Sequence, residues 1–204
     1  MIGVIDCGIG NIGSILNMLK KVGAQGRAVE QGEEMDECDK LILPGVGAFD
    51  TGMALLSRQG RREALNRAHE QEKPILGICL GMQLLGNRSE EGAAEGLGYL
   101  PFSLRRFCEE RHPALKVPHM GWDEVRILQG DSALTGDMEA APRFYFVHSY
   151  YAVCDDPDDI LMTCEYGETF AAAVHRNHVW GVQFHPEKSH RFGMSIMRNF
   201  AKEC

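Results

Sequence analysis

The stretch Lys73-Pro74-Ile75-Leu76-Gly77-Ile78-Cys79-Leu80-Gly81-Met82-Gln83 carries the strongest indication of the fold. An apolar run, Ile75–Ile78, leads directly into Gly-x-Cys-x-Gly, and a helical pattern begins at Leu80. This is the order of a nucleophile elbow with cysteine in place of serine. The alternative is a structural cysteine between two packing glycines. The strand before Cys79 and the helix after it favour the nucleophile.

Apolar runs alternate with amphipathic segments through the first half of the chain, which is typical of βαβ units and a parallel sheet. Strands are predicted at Ile2–Ile5, Lys40–Leu43 and Ile75–Ile78, and helices at Ile12–Val22 and Arg61–Gln71.

The second half is richer in strand patterns and closes with a predicted helix, Ser189–Lys202. The predicted strands are Leu104–Phe107, Glu124–Leu128, Phe144–Val147, Tyr150–Val153, Ile160–Cys164, Ala171–His175 and Val179–Phe184, with a hairpin turn between the last two. No linker or repeat divides the chain. We therefore expect one α/β domain, residues 1–204, with helices flanking a mixed, mainly parallel sheet that gains antiparallel strands in its second half.

Composition excludes several classes of protein. The net charge is −8, from 21 basic and 29 acidic residues, with no concentration of Lys and Arg for nucleic acid. No apolar stretch approaches the ~18 residues of a membrane span, and no signal-like start is visible. The seven cysteines are scattered, odd in number and without a CxxC pair, which disfavours a disulfide scaffold and fits a reducing cytoplasm.

A cysteine nucleophile needs an acid/base and a residue that orients it. Phe184-His185-Pro186-Glu187 offers both directly after an apolar strand. Proline ends the strand and can turn Glu187 back towards the imidazole of His185. Alone, His-Pro-Glu is more often a surface turn. Following the elbow at Cys79, it predicts a Cys-His-Glu triad.

The other histidines give weaker signals. His69, His112 and His190 lie in polar stretches, and His119 has no assigned role. His175 and His178 flank a turn and could share a metal, but no third ligand is evident, so no metal site is predicted. His148 ends a strand and is expected to border the site of the triad.

Seven segments spread over the chain resemble, in order, motifs of the triad-type (class I) glutamine amidotransferases. They are Asp6–Asn11, Leu43–Phe49, Gly77–Leu85, Ser89–Gly92, Val117–Trp122, Tyr145–Tyr150 and Gln183–Ser189. Within that family the Pro-His-Met-Gly-Trp and His-Pro-Glu-Lys-Ser segments are similar to those of the glutaminase subunits, called HisH, of imidazole glycerol phosphate synthase.

The resemblance implies a reaction and a role for each matching residue. Cys79 forms a glutamyl thioester, His185 is acid/base and Glu187 orients it, so that glutamine yields glutamate and ammonia without a cofactor. The implied oxyanion hole consists of Val46, Gly47 and Leu80. The implied glutamine-binding residues are Gly45, Gln83, Glu91, Ser149 and Tyr150. An acidic residue suits the ammonium group of glutamine on charge alone.

The resemblance also implies a partner. It is a (β/α)8-barrel cyclase subunit of the HisF type, which forms a heterodimer with the glutaminase and receives its ammonia through a tunnel. In histidine biosynthesis the cyclase makes imidazole glycerol phosphate and AICAR from PRFAR. The residues implied to face it are Asn11, Trp122, Tyr145 and Lys188.

Three alternatives stay open on the sequence. Gly8-Ile9-Gly10-Asn11-Ile12-Gly13 after the first strand, with Glu30 beyond it, matches a dinucleotide-binding fingerprint and would indicate a Rossmann oxidoreductase. A stand-alone γ-glutamyl or cysteine hydrolase would share the fold and need no partner. An inactive binding module is disfavoured by the intact triad.

Overall fold

The parallel half of the sheet carries the predicted elbow. The computed structural model describes residues 1–108 and 115–204. The strands of the described residues are β1 (Ile2–Ile5), β2 (Gly26–Val29), β3 (Lys40–Gly45), β4 (Ile75–Cys79), β5 (Arg88–Ser89), β6 (Phe102–Arg106), β7 (His119–Ile127), β8 (Arg143–His148), β9 (Tyr150–Cys154), β10 (Ile160–Tyr166), β11 (Glu168–Arg176) and β12 (Val179–Val182). In the sheet they follow the order β2-β1-β3-β4-β12-β11-β10-β7-β8, and every pair from β2 to β12 in that order is parallel.

Helices cover both faces of this half, so its central strands are apolar throughout: β1, β4 and β12 are buried at every position. The helices of the described residues are α1 (Ile12–Lys21), α2 (Gly32–Asp36), α3 (Phe49–Leu56), α4 (Arg61–Glu70), α5 (Leu80–Leu84) and α6 (His190–Lys202). One apolar cluster joins the sheet to α1 and α6, and another joins it to α3 and α4.

The second half of the sheet is antiparallel from β12 to β8, and β6 joins it by pairing with β9. The predicted turn between β11 and β12 is present, with Asn177 at φ 55°. The predicted mixed α/β sheet, parallel first and antiparallel later, is therefore confirmed. None of the helices in the described ranges is long and apolar enough to cross a membrane.

Five elements differ from the predictions. Helices α2 and α3 are absent from them, because each is short and interrupted by polar or glycine residues. Strands β2 and β5 are not among the predicted strands, because β2 is a four-residue strand that begins with glycine and β5 has only two residues. Strand β7 begins at His119, five residues before the predicted start at Glu124. Pro118 and Gly121 interrupt the apolar pattern of the sequence there, but Pro118 precedes the strand and Gly121 is accommodated inside it. This extension pairs Trp122 with Tyr145. That the chain is a single domain stays a prediction.

Candidate active site

Cys79 lies at the turn between β4 and α5. Its backbone has φ 53° and ψ −111°, a conformation that is strained for a residue with a side chain. A Cβ on Gly81 would lie 1.7 Å from the carbonyl oxygen of Leu43, and one on Gly77 would lie 2.6 Å from the Cα of Met82. Glycine is required at both positions because strand and helix approach too closely for a side chain. The predicted nucleophile elbow is present.

His185 and Glu187 form a hydrogen-bonded pair beside this turn. The strand β12 lies next to β4, with Val182 paired to Ile78, so the residues that follow both strands meet at one edge of the sheet. His185 Nδ1 donates to Glu187 Oε1 at 2.8 Å. Glu187 sits in the 3-10 turn Pro186–Lys188, and its side chain is 4% exposed. The proline thus holds the carboxylate behind the imidazole, as predicted.

Ser189 fixes the turn that carries this pair. Its Oγ accepts from the backbone N–H of Tyr145 at 3.0 Å and donates to the carbonyl of His185 at 2.6 Å. The backbone N–H of His185 donates in turn to the carbonyl of Tyr145 at 2.9 Å. Sequence reasoning gave Ser189 no role, because only the tertiary contact between β8 and the turn reveals it.

The charge of His185 is set by its burial and by two neighbours, Cys79 and Glu187. Burial alone would lower the pKa of this imidazole, but its interactions with Cys79 and Glu187 outweigh burial and raise the pKa to about 9. His185 therefore carries a positive charge at neutral pH. An imidazolium beside a cysteine stabilises the thiolate.

Two glutamine side chains link Cys79 to the opposite wall. Gln183 is fully buried, and its Nε2 lies 3.8 Å from Cys79 Sγ. Its Oε1 accepts from Gln83 Nε2 at 3.0 Å, and the same Gln83 nitrogen lies 3.2 Å from the Tyr150 carbonyl. Gln83 is one of the predicted substrate-binding residues, whereas Gln183 lies in the predicted motif Gln183–Ser189 without an assigned role.

A cavity of about 280 Å³ opens above Cys79. It gathers most of the residues that the resemblance implied for the oxyanion hole and for glutamine. Its lining residues are Val46, Gly47, Cys79, Leu80, Gln83, Glu91, Pro118, Val147, His148, Ser149 and Tyr150. Gly45 does not line it, because it packs in β3 against Leu80. Pro118 and Val147 were not predicted, and His148 borders the site as expected.

Glu91 is held at the cavity by α3. One of its carboxylate oxygens accepts from the backbone N–H of Phe49, the first residue of that helix, at 2.8 Å. Asp50 in turn accepts from the N–H groups of Ala93 and Ala94, both at 3.0 Å. The unpredicted helix α3 therefore positions a predicted substrate-binding carboxylate.

The backbone N–H groups predicted to stabilise the oxyanion differ in their hydrogen bonding. Leu80 is the first residue of α5, where backbone N–H groups have no partner within the helix. The N–H of Val46, however, donates to the carbonyl of Ile9 at 2.6 Å. It can serve the oxyanion only if that bond breaks and the peptide turns. The adjacent Gly47, at φ 112°, supplies backbone freedom at this point.

The model of the family "Glutamine amidotransferase class-I" matches residues 3–204. The chain belongs to this family. It is 53% identical over 203 residues to "Imidazole glycerol phosphate synthase subunit HisH 2" of Pseudomonas aeruginosa, with 99% of each chain covered. It is 48% identical over 205 residues to the protein of that name from Methanococcus maripaludis, with 100% of each covered. The resemblance to HisH glutaminase subunits is confirmed.

The fold of this amidotransferase also matches a solved structure, PurLQS from Thermotoga maritima. The TM-score is 0.76 at 20% identity, and 98% of this chain and 96% of that chain are covered.

Three of the four residues predicted to face a partner form one surface cluster on the amidotransferase. The ring of Trp122 lies 6.2 Å from that of Tyr145, and Lys188 Nζ lies 5.3 Å from the Tyr145 centroid. His190, placed among the polar stretches in the sequence, stacks on Trp122 at 5.2 Å. The fourth residue, Asn11, caps α1 by accepting from Ser14. Their role as an interface stays a prediction.

The glycines of the dinucleotide fingerprint have another explanation in the amidotransferase. A Cβ on Gly13 would meet nothing within 4 Å, so this glycine is not needed for the close helix packing that the fingerprint requires. Glu30 is exposed. The family match and this geometry remove the support for the Rossmann alternative.

The remaining histidines are engaged elsewhere. His178 Nε2 lies 2.8 Å from His69 Nδ1, and His175 Nε2 donates to the carbonyl of Asn177 at 2.6 Å. His175 and His178 therefore face different partners. His112 lies outside the described residues.

Proposed function

We propose that this amidotransferase is the glutaminase subunit of an imidazole glycerol phosphate synthase. It hydrolyses glutamine to glutamate and ammonia with Cys79, His185 and Glu187. The ammonia passes to a HisF-type (β/α)8-barrel cyclase, which makes imidazole glycerol phosphate and AICAR from PRFAR. The observation that carries the proposal is the His185–Glu187 pair beside the strained Cys79 at the floor of the cavity.

The first half of the reaction forms the thioester. The thiolate of Cys79 attacks the side-chain amide carbon of glutamine, and the negative charge moves to the amide oxygen. His185, protonated at neutral pH because its pKa is about 9, gives its proton to the leaving nitrogen. The C–N bond breaks, ammonia leaves and a glutamyl thioester remains on the sulfur. Glu187 stabilises and orients the imidazolium until that transfer.

The second half reverses the proton flow. Neutral His185 takes a proton from water as the water attacks the thioester carbonyl. The C–S bond breaks, glutamate leaves and the thiolate–imidazolium pair is restored. In both halves the oxyanion is stabilised by backbone N–H groups, Leu80 directly and Val46 after its release from Ile9. Loss of one such donor costs ~10²–10³ in rate.

The cavity walls supply the binding of glutamine in this proposal. Glu91 faces the ammonium group with a carboxylate, and the Ser149–Tyr150 backbone and Gln83 hold the other end of the amino acid. The names of the curated relatives, which describe a subunit of a synthase, support a partner subunit. The half-buried rings of Trp122 and Tyr145, together with the exposed Lys188, support an aromatic docking surface for it.

The test is ammonia release from glutamine by the chain alone and with the cyclase bound to its substrate or a stable analogue. The occupied N–H of Val46 predicts slow release alone and a rise of roughly 10²-fold or more in the complex. Equal and rapid release in both would favour the stand-alone hydrolase. Release in the complex without formation of imidazole glycerol phosphate would show that the ammonia has a different recipient.

A further inference from the structure

Two buried histidines connect the glutamine cavity to a surface carboxylate. His148 lines the cavity, and its Nδ1 lies 2.8 Å from the carbonyl oxygen of Tyr150. His148 Nε2 lies 3.2 Å from Nδ1 of His119, which is 1% exposed. His119 Nε2 lies 2.6 Å from Oδ2 of Asp123. The three side chains form one continuous row of contacts, here called the histidine chain.

Each contact in the histidine chain needs one hydrogen. A carbonyl oxygen only accepts, so His148 Nδ1 must carry a proton. Burial lowers the pKa of His148 to about 3, so this ring is neutral and its Nε2 is an acceptor. Nδ1 of His119 must then donate to it. The carboxylate of Asp123 also only accepts, so His119 Nε2 must donate as well.

The three contacts of the histidine chain need one hydrogen more than two neutral imidazole rings carry. Two neutral imidazoles carry two protons and an ionised carboxylate carries none, whereas the three contacts need three. All three contacts are satisfied together only when the chain binds one more proton, as an imidazolium at His119 facing the carboxylate of Asp123. Without it, two acceptor atoms would face each other at one of the three contacts.

We propose that the histidine chain holds one shared proton and that this proton positions the Ser149–Tyr150 wall for glutamine. His119 and Asp123 are thereby positioning residues, which act through His148 on a wall that they do not themselves line. The inference rests on the proposed glutaminase function, since it concerns the binding of glutamine.

Loss of the shared proton affects the Ser149–Tyr150 wall of the cavity because the contact that then lacks a hydrogen is one made by His148. The contact of His119 with Asp123 is short and charge-assisted, so it is the strongest of the three. When the proton leaves, the mismatch therefore falls on one of the two contacts made by His148. In either case the ring that holds the Tyr150 carbonyl loses a partner.

The titratable neighbours of the chain come from two further elements. Tyr166 of β10 stacks on His119 at 3.9 Å. Cys164 of the same strand interacts with Asp123, and burial raises the pKa of its thiol to about 12, so it stays neutral. His185, beyond the end of β12, contributes positive charge near the ring of His148.

The direction of the pH effect follows from these neighbours. Burial lowers the pKa of His119 below its usual value, and the hydrogen bond with Asp123 and the charge of that carboxylate offset only part of this lowering. The shared proton is bound at low pH and lost as pH rises. Glutamine binding is accordingly tightest on the acid side and weakens towards the basic side.

The variant Asp123→Asn keeps the hydrogen bond to His119 but removes the need for the shared proton. The asparagine amide can donate to His119 Nε2, so all three contacts are satisfied with two neutral rings and no extra proton. Glu124→Gln removes one charge from the next, exposed position of β7 and is the matched control. The dissociation constant for glutamine is measured for both, and for the parent, from about pH 5 to about pH 9 in a Cys79→Ala background without turnover.

We expect the ratio of the glutamine dissociation constants of the parent and Asp123→Asn to change with pH. Affinities of Asp123→Asn and the parent are similar at low pH, and at high pH the variant binds about fivefold more tightly, the value of one hydrogen bond. Glu124→Gln follows the parent at every pH. Imidazole ¹⁵N shifts of the protein without glutamine show His119 doubly protonated at low pH in the parent and singly protonated throughout in Asp123→Asn.

Two outcomes overturn the inference separately from the function. If the parent binds glutamine normally and the ratio of its dissociation constant to that of Asp123→Asn does not change with pH, His119 and Asp123 do not position the wall. A singly protonated His119 in the parent at all pH values removes the shared proton. Failure of the parent to bind glutamine, together with unreactive Cys79 in the unsubstituted protein, overturns the glutaminase function itself and the positioning role with it.

Discussion

The backbone N–H of Val46 donates to the carbonyl of Ile9 at 2.6 Å, which ties the strand beside Cys79 to the loop before α1. The same loop contains Asn11, one of the residues predicted to face a partner. A contact that moves this loop would free the N–H for the oxyanion. In the proposed mechanism the resting enzyme therefore holds its nucleophile and a charged imidazole while one of the two oxyanion donors is occupied.

Replacing Val46 tests this donor directly. Val46→Pro removes the N–H, and glutamine hydrolysis in the complex is expected to fall by ~10²–10³. Val46→Ala keeps the N–H and is the control, with a change expected below about tenfold. Steady-state kinetics with saturating glutamine measure both. Near-normal turnover in the proline variant would remove Val46 from the oxyanion hole.

Glu187→Gln should move the pH profile of the enzyme. In the proposed mechanism the acid is His185, whose pKa is raised to about 9, so turnover of the unsubstituted enzyme is expected to fall as pH rises through about 9. Without the carboxylate, the pKa of His185 is lower and the basic limb moves to lower pH, with activity at neutral pH reduced roughly 10²-fold. Glu33→Gln, on an exposed position of α2, should leave the limb in place. An unmoved limb in Glu187→Gln would show that another group sets it.

Cys79 should be the single reactive thiol towards a glutamine-analogue electrophile. The cavity places Cys79 at the substrate, whereas burial raises the pKa of Cys154, Cys164 and Cys204 to about 12 and keeps them as thiols. Peptide mass spectrometry after labelling identifies the modified residue. Modification of another cysteine at a similar rate would contradict an activated site at the elbow.

Cys79→Ala divides the two activities of the proposed complex. Glutamine-dependent synthesis should be lost, because no thioester can form. Synthesis from added ammonium salt should remain, because the cyclase uses ammonia itself. Product formation from PRFAR measures both, and loss of the two together would mean that the substitution damages the complex rather than the glutaminase step.

Much of this site was predictable because its signals are local. The elbow at Cys79 and the turn at His185–Glu187 each lie within a few residues, and the chemistry of each side chain fixes its role. What could not be predicted depends on contacts between distant segments. Gln183 meets Cys79 across two strands, and Ser189 meets the Tyr145 backbone.

The fold shows the same division. The parallel strands were predictable from their continuous apolar runs, which arise because helices bury both faces of the sheet, as at β1 and β4. Helix α3 gave no such signal, since it is eight residues long and contains Gly52. The row from His148 to Asp123 was also beyond the sequence, because it depends on β7 starting at His119 and pairing with β8.

Two glycine substitutions distinguish the elbow from the fingerprint near the start of the chain. In Gly81→Ala the new Cβ would lie 1.7 Å from the Leu43 carbonyl oxygen, so strand β3 or helix α5 must move. We expect a loss of about 3 kcal/mol or more in the free energy of unfolding and loss of glutamine hydrolysis. In Gly13→Ala the Cβ meets nothing within 4 Å inside α1, so stability should rise by roughly 0.5–1 kcal/mol. Urea denaturation measures both, and a destabilised Gly13→Ala would show that the glycine serves a close contact with a ligand or helix after all.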